Sequence, residues 1–343
     1  MAISRQSLDS IPTSFASVSV GTPDDPLPQK LEAISAAGFR AIELGLPDLV
    51  SFASAFHKKD VQQNDYESLC SAGTEVAKIC TANKLSIMML QPFGSFEGWP
   101  KGSKERADAF GRARGWIKIM QAVGTDMLQV GSSAESNISS SFEDLASDLR
   151  ELAGMLSAQN FKLAYENWCW ATRASTWKDV WEIVDKVGRP NVGLCLDTFQ
   201  TAGGEWADPT TKSGLIETYS SKEELERKFH DSLAELARTV PKDKIYLLQI
   251  SDAYRPIEPL EKSGVQRPRG RWSQNYRPLP FSGGYLPVVD VAKAVLKTGT
   301  RCWFSYEVFD GGPEGKETRE YDFGDFTKAA MASHGQLLDK CAN

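Results

Sequence analysis

Four polar side chains interrupt segments of the sequence that are otherwise apolar. Glu166 lies near the end of KLAYENW, and Asp197 lies near the end of VGLCLDTF. Gln249 falls within IYLLQISD, and Glu307 falls within CWFSYEVF. A buried carboxylate without a partner costs several kcal/mol. If these segments are buried, their three acids therefore need a compensating charge.

A divalent cation is the simplest compensation for this set. Three like charges at one site cannot all stay ionised without a nearby positive charge. Taken singly, each residue could be a strand-end side chain that is paired with Lys or Arg or faces water. The recurrence of all four in successive segments favours a metal site. An all-oxygen ligand set suits magnesium or manganese, whereas zinc more often recruits His or Cys. The pattern predicts one Mg²⁺ or Mn²⁺ ion.

The elements that would bring these residues together alternate along the chain. Strand patterns cover 14–20, 40–46, 85–91, 126–131, 162–168, 192–199, 245–252 and 302–309. Helical patterns cover 27–37, 64–83, 103–123, 141–158, 175–187, 221–239, 287–298 and 325–340. Many strands are continuous apolar runs, which is typical of parallel strands covered on both faces. We therefore predict a single α/β domain over 1–343, a (β/α)8 TIM barrel, whose strand ends converge on one site.

Two connections are too long for this alternation. They cover about 200–220, after the sixth strand, and about 253–287, after the seventh. Structureless loops longer than roughly 12–15 residues in a compact domain are usually lids or binding loops. Both connections leave the carboxyl ends of strands, where barrel active sites lie. We expect them to be irregular loops over the active site.

Composition excludes several classes of function. The 343-residue chain has a formal net charge of −6 and no long basic run, so nucleic acid is not an expected partner. No apolar run reaches the roughly 18 residues needed to cross a membrane. The six cysteines lack CxxC spacing, which favours buried, reduced thiols. We expect a soluble cytoplasmic enzyme with a small-molecule substrate, and homo-oligomer formation is left open.

Seven segments together resemble the xylose isomerase-like barrel superfamily and, within it, the fungal 3-dehydroshikimate dehydratases. They are IELGLPDL, LQPFGSFEGWP, LAYENW, GLCLDTFQTAGGEW, LLQISDA, RPLPFSGG and FSYEVF. The resemblance covers nearly the whole chain. It implies a divalent metal ion at Glu166, Asp197, Gln249 and Glu307. It also implies a hydro-lyase that converts 3-dehydroshikimate to protocatechuate and water.

The resemblance also assigns Ser273 and Arg277 as catalytic, substrate-contacting residues. The implied substrate carries a carboxylate, which a planar guanidinium binds through two parallel hydrogen bonds. The second long connection offers Arg267, Arg269, Arg271 and Arg277 for this purpose. We expect Arg277 to bind the substrate and hold Arg271 as the alternative. Arg267 and Arg269, on either side of a proline, are expected to be solvated loop residues.

The general base is the point at which the chain departs from this pattern. Bacterial relatives resemble DxxH after strand six, but this chain has Gln200 there, which cannot take up a proton and is expected to contact the substrate. His230 and His334 fall in predicted outer helices. His57 is the catalytic candidate by elimination, because it follows the second strand and could reach the rim. An exposed loop position for His57 is an equal alternative, and Lys58 or a metal-bound hydroxide could serve instead.

Other functions on the same barrel stay open. A metal-dependent sugar or ketose isomerase or epimerase would use the same ligands, although the arginine-bearing connection favours an acidic substrate. Endonucleases of the superfamily resemble histidine-rich, multi-zinc sites, whereas this chain has three histidines. A barrel that has lost catalysis and only binds a partner is disfavoured by the retention of all four ligand-type residues.

Overall fold

Eight parallel strands form a closed barrel in the computed structural model, which describes residues 3–264, 266–316 and 321–342. Strand β1 pairs with both β2 and β9, and these pairings close the ring. The barrel strands are β1 (Thr13–Ala16), β2 (Ala41–Gly45), β3 (Ser86–Phe93), β4 (Met127–Gly131), β5 (Lys162–Glu166), β6 (Val192–Asp197), β7 (Ile245–Ile250) and β9 (Trp303–Tyr306). The predicted fold class is confirmed.

Helices surround the barrel and connect its strands. They are α1 (Arg5–Leu8), α2 (Leu27–Ala36), α3 (Leu46–His57), α4 (Tyr66–Ala82), α5 (Lys104–Val123), α6 (Phe142–Ser157), α7 (Trp177–Val187), α8 (Thr198–Glu205), α9 (Lys222–Thr239), α10 (Pro268–Asn275), α11 (Val288–Lys297) and α12 (Phe323–Cys341). Several begin at a Ser or Thr whose hydroxyl accepts a backbone N–H of the first turn, as Thr176 does for α7. Within the described residues, no helix is both long and apolar enough to span a membrane.

The interior of the barrel is divided between an apolar end and a polar end. Apolar side chains from the first halves of the strands pack together, among them Met127, Ala164 and Leu247. Because side chains alternate along a strand, the next inward position on each strand lies closer to the carboxyl end. Those positions include Gln129 and Gln249, both buried. The carboxyl end of the barrel is therefore lined by polar groups shielded from bulk water.

The two long connections are more ordered than the sequence predicts. The segment after β6 continues directly into α8, because the Asp197 side chain accepts the backbone N–H of Phe199 at 2.7 Å and caps the helix. The segment after β7 contains α10, which begins at Pro268, where a missing N–H is tolerated. It also contains the short strand β8 (Tyr276–Arg277), antiparallel to β10 (Phe309–Asp310). The expectation of irregular loops holds for most of 206–220, 253–264 and 278–287, but it is wrong for α8, α10 and β8.

A buried ion pair joins α2 to α3 beside the carboxyl-terminal rim. Lys30 Nζ lies 2.8 Å from Asp48 Oδ1 and donates to the Thr22 carbonyl at 2.6 Å. Replacing Lys30 by methionine should lower the free energy of unfolding by about 3–5 kcal/mol, because Asp48 is left as an unpaired buried charge. Denaturant unfolding measures this loss. Lys78→Met, at an exposed pair, should change it by less than about 1 kcal/mol. Equal effects would contradict the assignment.

Candidate active site

Four side chains from consecutive barrel strands meet at the carboxyl end of the barrel. Glu166 ends β5, Asp197 ends β6, Gln249 lies in β7, and Glu307 directly follows β9. Carboxylate oxygens of the three acids lie within 4.8 Å of one another. Gln249 is the register partner of Asp197 on the neighbouring strand. The structure thus brings together all four residues that the sequence singles out, and each of them is buried. We call these four residues the ligand cluster.

Two oxygens of the ligand cluster lack a hydrogen-bond partner among the residues that the structure describes. They are Glu166 Oε1 and Gln249 Oε1. The other end of each side chain is held: Glu166 Oε2 accepts the amide of Gln129, and Gln249 Nε2 donates to Glu43 Oε2 at 2.9 Å. Buried polar atoms are normally satisfied. Two unpaired oxygens beside two further carboxylates are the donor set that a hard divalent cation takes, so these residues fit such an ion.

Arg277 occupies the centre of the cluster. Its Nη2 donates to Asp197 Oδ2 at 2.7 Å, and its Nη1 donates to Glu307 Oε2 at 2.8 Å. Its Nε donates to the Ser251 hydroxyl at 2.8 Å, and the guanidinium lies over the ring of Phe199. The guanidinium is therefore bound to the carboxylates of the ligand cluster. The expectation that Arg277 binds a substrate carboxylate stays a prediction.

Burial controls the acidity of the cluster. It raises the pKa of Glu166 well above its ordinary value, and the charges of Glu307 and Asp197 raise it further. Burial raises the pKa of Asp197 to about 6, although Arg277 opposes this shift. The pKa of Glu43, which contacts Gln249, rises to about 8, again mainly through burial. One guanidinium therefore does not fully compensate these acids, and a further positive charge would keep them ionised.

None of the three histidines, all of which the structure describes, is bonded to the ligand cluster. His57 is the last residue of α3, and its Nε2 lies 3.1 Å from the Ser68 carbonyl oxygen. Helix α3 begins immediately after β2, and Ser68 lies in the first turn of α4, at the end of that helix remote from the start of β3. His57 therefore lies beside the first turn of α4, and its assignment as the catalytic base stays a prediction. His230 and His334 lie in α9 and α12, as predicted.

The remaining predicted contacts divide between the site and its surroundings. The Ser273 hydroxyl, in α10, accepts a hydrogen bond from Arg277 Nη1 at 3.4 Å and is therefore next to the cluster. Arg271 is not brought there, because its guanidinium donates to the Glu261 carbonyl on the outer side of α10. Gln200 is buried and accepts the backbone N–H of Cys169 at 2.9 Å, which makes its observed contact structural.

Two arginines fasten α10 over the mouth of the barrel. Arg267 donates to the Trp170 carbonyl at 2.7 Å and to the Thr172 hydroxyl at 2.8 Å. Arg269 donates to the Gly203 carbonyl at 2.7 Å. Arg267 is exposed, as expected, although its guanidinium is hydrogen-bonded to the connection after β5. The expectation of a solvated loop residue is wrong for Arg269, which is half-buried within α10 and hydrogen-bonded to α8. The ligand cluster itself is buried.

The sequence reasoning overlooked three polar residues that contact the ligand cluster. Glu43, Gln91 and Gln129 lie on β2, β3 and β4. Each interrupts an apolar run in the same way as the ligand-type residues, in IELG, MLQPF and MLQVG. This pattern in the sequence indicates residues that contact a polar site, because an inward polar residue in a buried strand needs a polar partner.

Comparisons with known proteins agree with this architecture. The sequence profile of the xylose isomerase-like TIM barrel family matches residues 31–322. A 3-dehydroshikimate dehydratase of Neurospora crassa is 32% identical over 308 residues, which cover 84% of each chain. One of Pseudomonas aeruginosa is 29% identical over 89% of this chain and 39% of the relative. A solved xylose isomerase-like TIM barrel/4-hydroxyphenylpyruvate dioxygenase fusion protein has a TM-score of 0.71 at 25% identity, covering 94% of this chain and 42% of that chain. The chain belongs to the xylose isomerase-like TIM barrel family.

Proposed function

We propose that this chain is a metal-dependent 3-dehydroshikimate dehydratase, which forms protocatechuate and water. The observation that carries the proposal is the convergence of Glu166, Asp197 and Glu307 within 4.8 Å, with Gln249 beside them. The names of the Neurospora and Pseudomonas relatives support the same reaction. The reaction removes the proton on carbon 4, next to the ring ketone, and then the hydroxyl on carbon 5, after which the ring becomes aromatic.

The four residues of the ligand cluster are those that would hold the ion. A divalent ion there would supply Lewis-acid polarisation of the ketone, which makes the neighbouring proton more acidic. We propose Mg²⁺ or Mn²⁺, because the donor set consists of three carboxylates and one amide oxygen. The Nε2 atom of Gln249 donates to Glu43, which leaves Oε1 as the end of the amide that is available to an ion.

The residues on α10 and β8 supply the remaining groups near the reacting ring. Ser273 and Arg277 are the polar side chains that this segment places against the ligand cluster, and we propose that both contact the substrate. Arg277 also holds the carboxylates of Asp197 and Glu307 in position. A closed α10 excludes bulk water, which strengthens electrostatic interactions inside the site. The residue that accepts the carbon 4 proton is left unassigned, because the hydrogen bond of the His57 ring is to the Ser68 carbonyl and not to the ligand cluster.

A sugar or ketose epimerase would use the same ligand cluster. The arginine-bearing connection does not separate the two functions, because Arg267 and Arg269 fasten α10 and Arg277 binds carboxylates of the protein. The choice therefore depends on substrate turnover. We expect the purified protein with Mn²⁺ to convert 3-dehydroshikimate to protocatechuate, followed by ultraviolet absorbance, and to leave neutral ketoses unchanged. Rapid ketose epimerisation without protocatechuate formation would refute the proposal.

The affinity for the metal ion should fall as the pH is lowered, because the buried acids then carry protons. The pKa of Asp197 is raised to about 6 and that of Glu166 is raised well above its ordinary value, so both acids hold protons at low pH. A cation must displace these protons. Affinity for Mn²⁺ should therefore weaken at least about tenfold between pH 7.5 and pH 5.5, since each bound proton must leave. Calorimetric titration at several pH values checks this, and a pH-independent affinity would contradict it.

A further inference from the structure

Strands β2, β3 and β4 carry no residue of the ligand cluster, but each carries a polar side chain that contacts it. Strands β5, β6 and β7 and the residue after β9 supply the ligand cluster, whereas β2, β3 and β4 supply one inward polar residue each. Glu43 Oε2 accepts from Gln249 Nε2 at 2.9 Å. Gln91 Nε2 donates to Glu307 Oε1 at 3.2 Å, and the Gln129 amide donates to Glu166 Oε2. Each contact spans two different strands and occupies one end of a ligand-cluster side chain.

We propose that Glu43 is a positioning residue that determines which end of the Gln249 amide faces the metal ion. This inference rests on the proposed function, because it requires the ion. An amide has one oxygen that can bind a cation and one NH₂ group that cannot. The two ends have nearly the same shape, so packing alone does not select between them. A hydrogen-bond acceptor beside one end selects the orientation that places the NH₂ group there.

The surroundings of Gln249 show how that selection works. The side chain is fully buried, so water does not compete for its NH₂ group. With Nε2 donating to Glu43, the Oε1 atom is left without a partner among the described residues. Reversing the amide would break the hydrogen bond from Nε2 to Glu43 Oε2 and place the NH₂ group where Oε1 now lies. Glu43 opposes this reversal because its Oε2 atom accepts the hydrogen bond from the Gln249 NH₂ group.

Gln129 acts on Glu166 by a related contact. Its amide occupies Oε2 of Glu166, while Oε1 has no partner within the described part of the chain. Glu166 is a carboxylate, however, and presents an oxygen at either end. Gln249 is the one member of the ligand cluster for which orientation decides whether it can bind a cation. The loss of a partner that orients a metal ligand typically lowers metal affinity about 10–100-fold, so the effect should be largest at Glu43.

A double-mutant cycle tests this inference directly. We expect Glu43→Met to weaken Mn²⁺ binding at least about tenfold in the wild-type background, measured by calorimetry. In the Gln249→Glu background the same change should cost less than about threefold or tighten binding, because a carboxylate offers an oxygen at both ends. A purely structural role for Glu43 would give the same loss in both backgrounds. Ser14→Ala, a change at another buried side chain of the barrel, should leave affinity within about twofold.

Each outcome of the cycle decides the inference. Equal Mn²⁺ affinities of the wild type and Glu43→Met overturn it and leave the proposed function intact. Failure of the wild type to bind any divalent ion overturns both. If Glu43→Met does not fold, as judged by thermal unfolding without metal, Glu43→Gln replaces it. In the Gln249→Glu background, Glu43→Gln should tighten Mn²⁺ binding by removing a facing carboxyl and supplying a donor. Weaker binding there would overturn the inference.

Discussion

Replacing Glu166 by glutamine lowers kcat/KM for 3-dehydroshikimate at least about 1000-fold at micromolar Mn²⁺, if the ligand cluster holds the ion. The reason is that the unpaired oxygen, Oε1, belongs to a carboxylate whose charge the ion needs. Loss of a metal contribution of roughly 4 kcal/mol corresponds to that factor. Steady-state assays at increasing Mn²⁺ concentration measure it, and part of the activity should return in the millimolar range.

A matched change outside the cluster provides the control. Glu97 is also a buried glutamate with one oxygen unpaired within the described residues, but its partners are the Ser133 N–H and the Tyr165 hydroxyl. Glu97→Gln should leave the dependence of activity on Mn²⁺ as in the wild type. If Glu166→Gln retains wild-type kcat/KM at micromolar Mn²⁺, Glu166 is not a ligand.

Replacing Arg277 should make the stability of the folded protein more dependent on bound metal. Arg277→Met breaks two buried ion pairs, with Asp197 and Glu307, and a broken buried pair costs about 3–5 kcal/mol of unfolding free energy. A divalent ion supplies positive charge at the same carboxylates. Saturating Mn²⁺ should therefore raise the free energy of unfolding of Arg277→Met by more than that of the wild type, because an ion that binds only the folded state stabilises it. Activity should also fall at least about tenfold, equivalent to ~1.4 kcal/mol, because two ligand carboxylates lose their orientation.

Denaturant unfolding with and without Mn²⁺ measures this difference. Arg271→Met serves as the control, because Arg271 lies on the same segment but donates to the Glu261 carbonyl. Its stabilisation by Mn²⁺ should match that of the wild type. An identical gain in all three proteins would mean that Arg277 does not compensate the ligand cluster in solution.

The fold and the ligand cluster were predictable because both follow from local patterns. Apolar runs of strand length alternating with amphipathic helices indicate a parallel barrel. In a barrel, the ends of neighbouring strands must meet, so polar residues such as Glu166 and Asp197 at those ends must be neighbours. The spacing within each strand fixes the side that each residue faces. No long-range contact had to be known in advance.

The side chains above the cluster were not predictable in the same way. The position of Arg277 depends on the path of residues between β7 and β9, which pairs β8 with β10 across a long separation. The position of His57 depends on how soon a helix follows β2, and α3 begins at the next residue. Arg267 and Arg269 donate hydrogen bonds to backbone carbonyls. Every residue has a backbone carbonyl, so the sequence does not indicate which one an arginine will contact. Only tertiary structure distinguishes these outcomes.

The residues that contact the ligand cluster could be predicted from the sequence only in part. Glu43, Gln91 and Gln129 could be recognised as inward polar residues, but their pairing with particular ligand residues requires the geometry across the barrel. Glu43 contacts Gln249 across a separation of 206 residues. Only the tertiary structure shows which end of the Gln249 amide Glu43 contacts.

The most direct test of the central claim is a metal titration of chelator-treated protein. Metal-free protein should form no protocatechuate from 3-dehydroshikimate. Activity should return in proportion to added Mn²⁺ or Mg²⁺ and reach its maximum at one ion per chain, because the ligand cluster offers one set of ligands. Both quantities, bound metal and initial rate, should be measured on the same preparation. Full protocatechuate formation by protein that contains no metal would contradict the account.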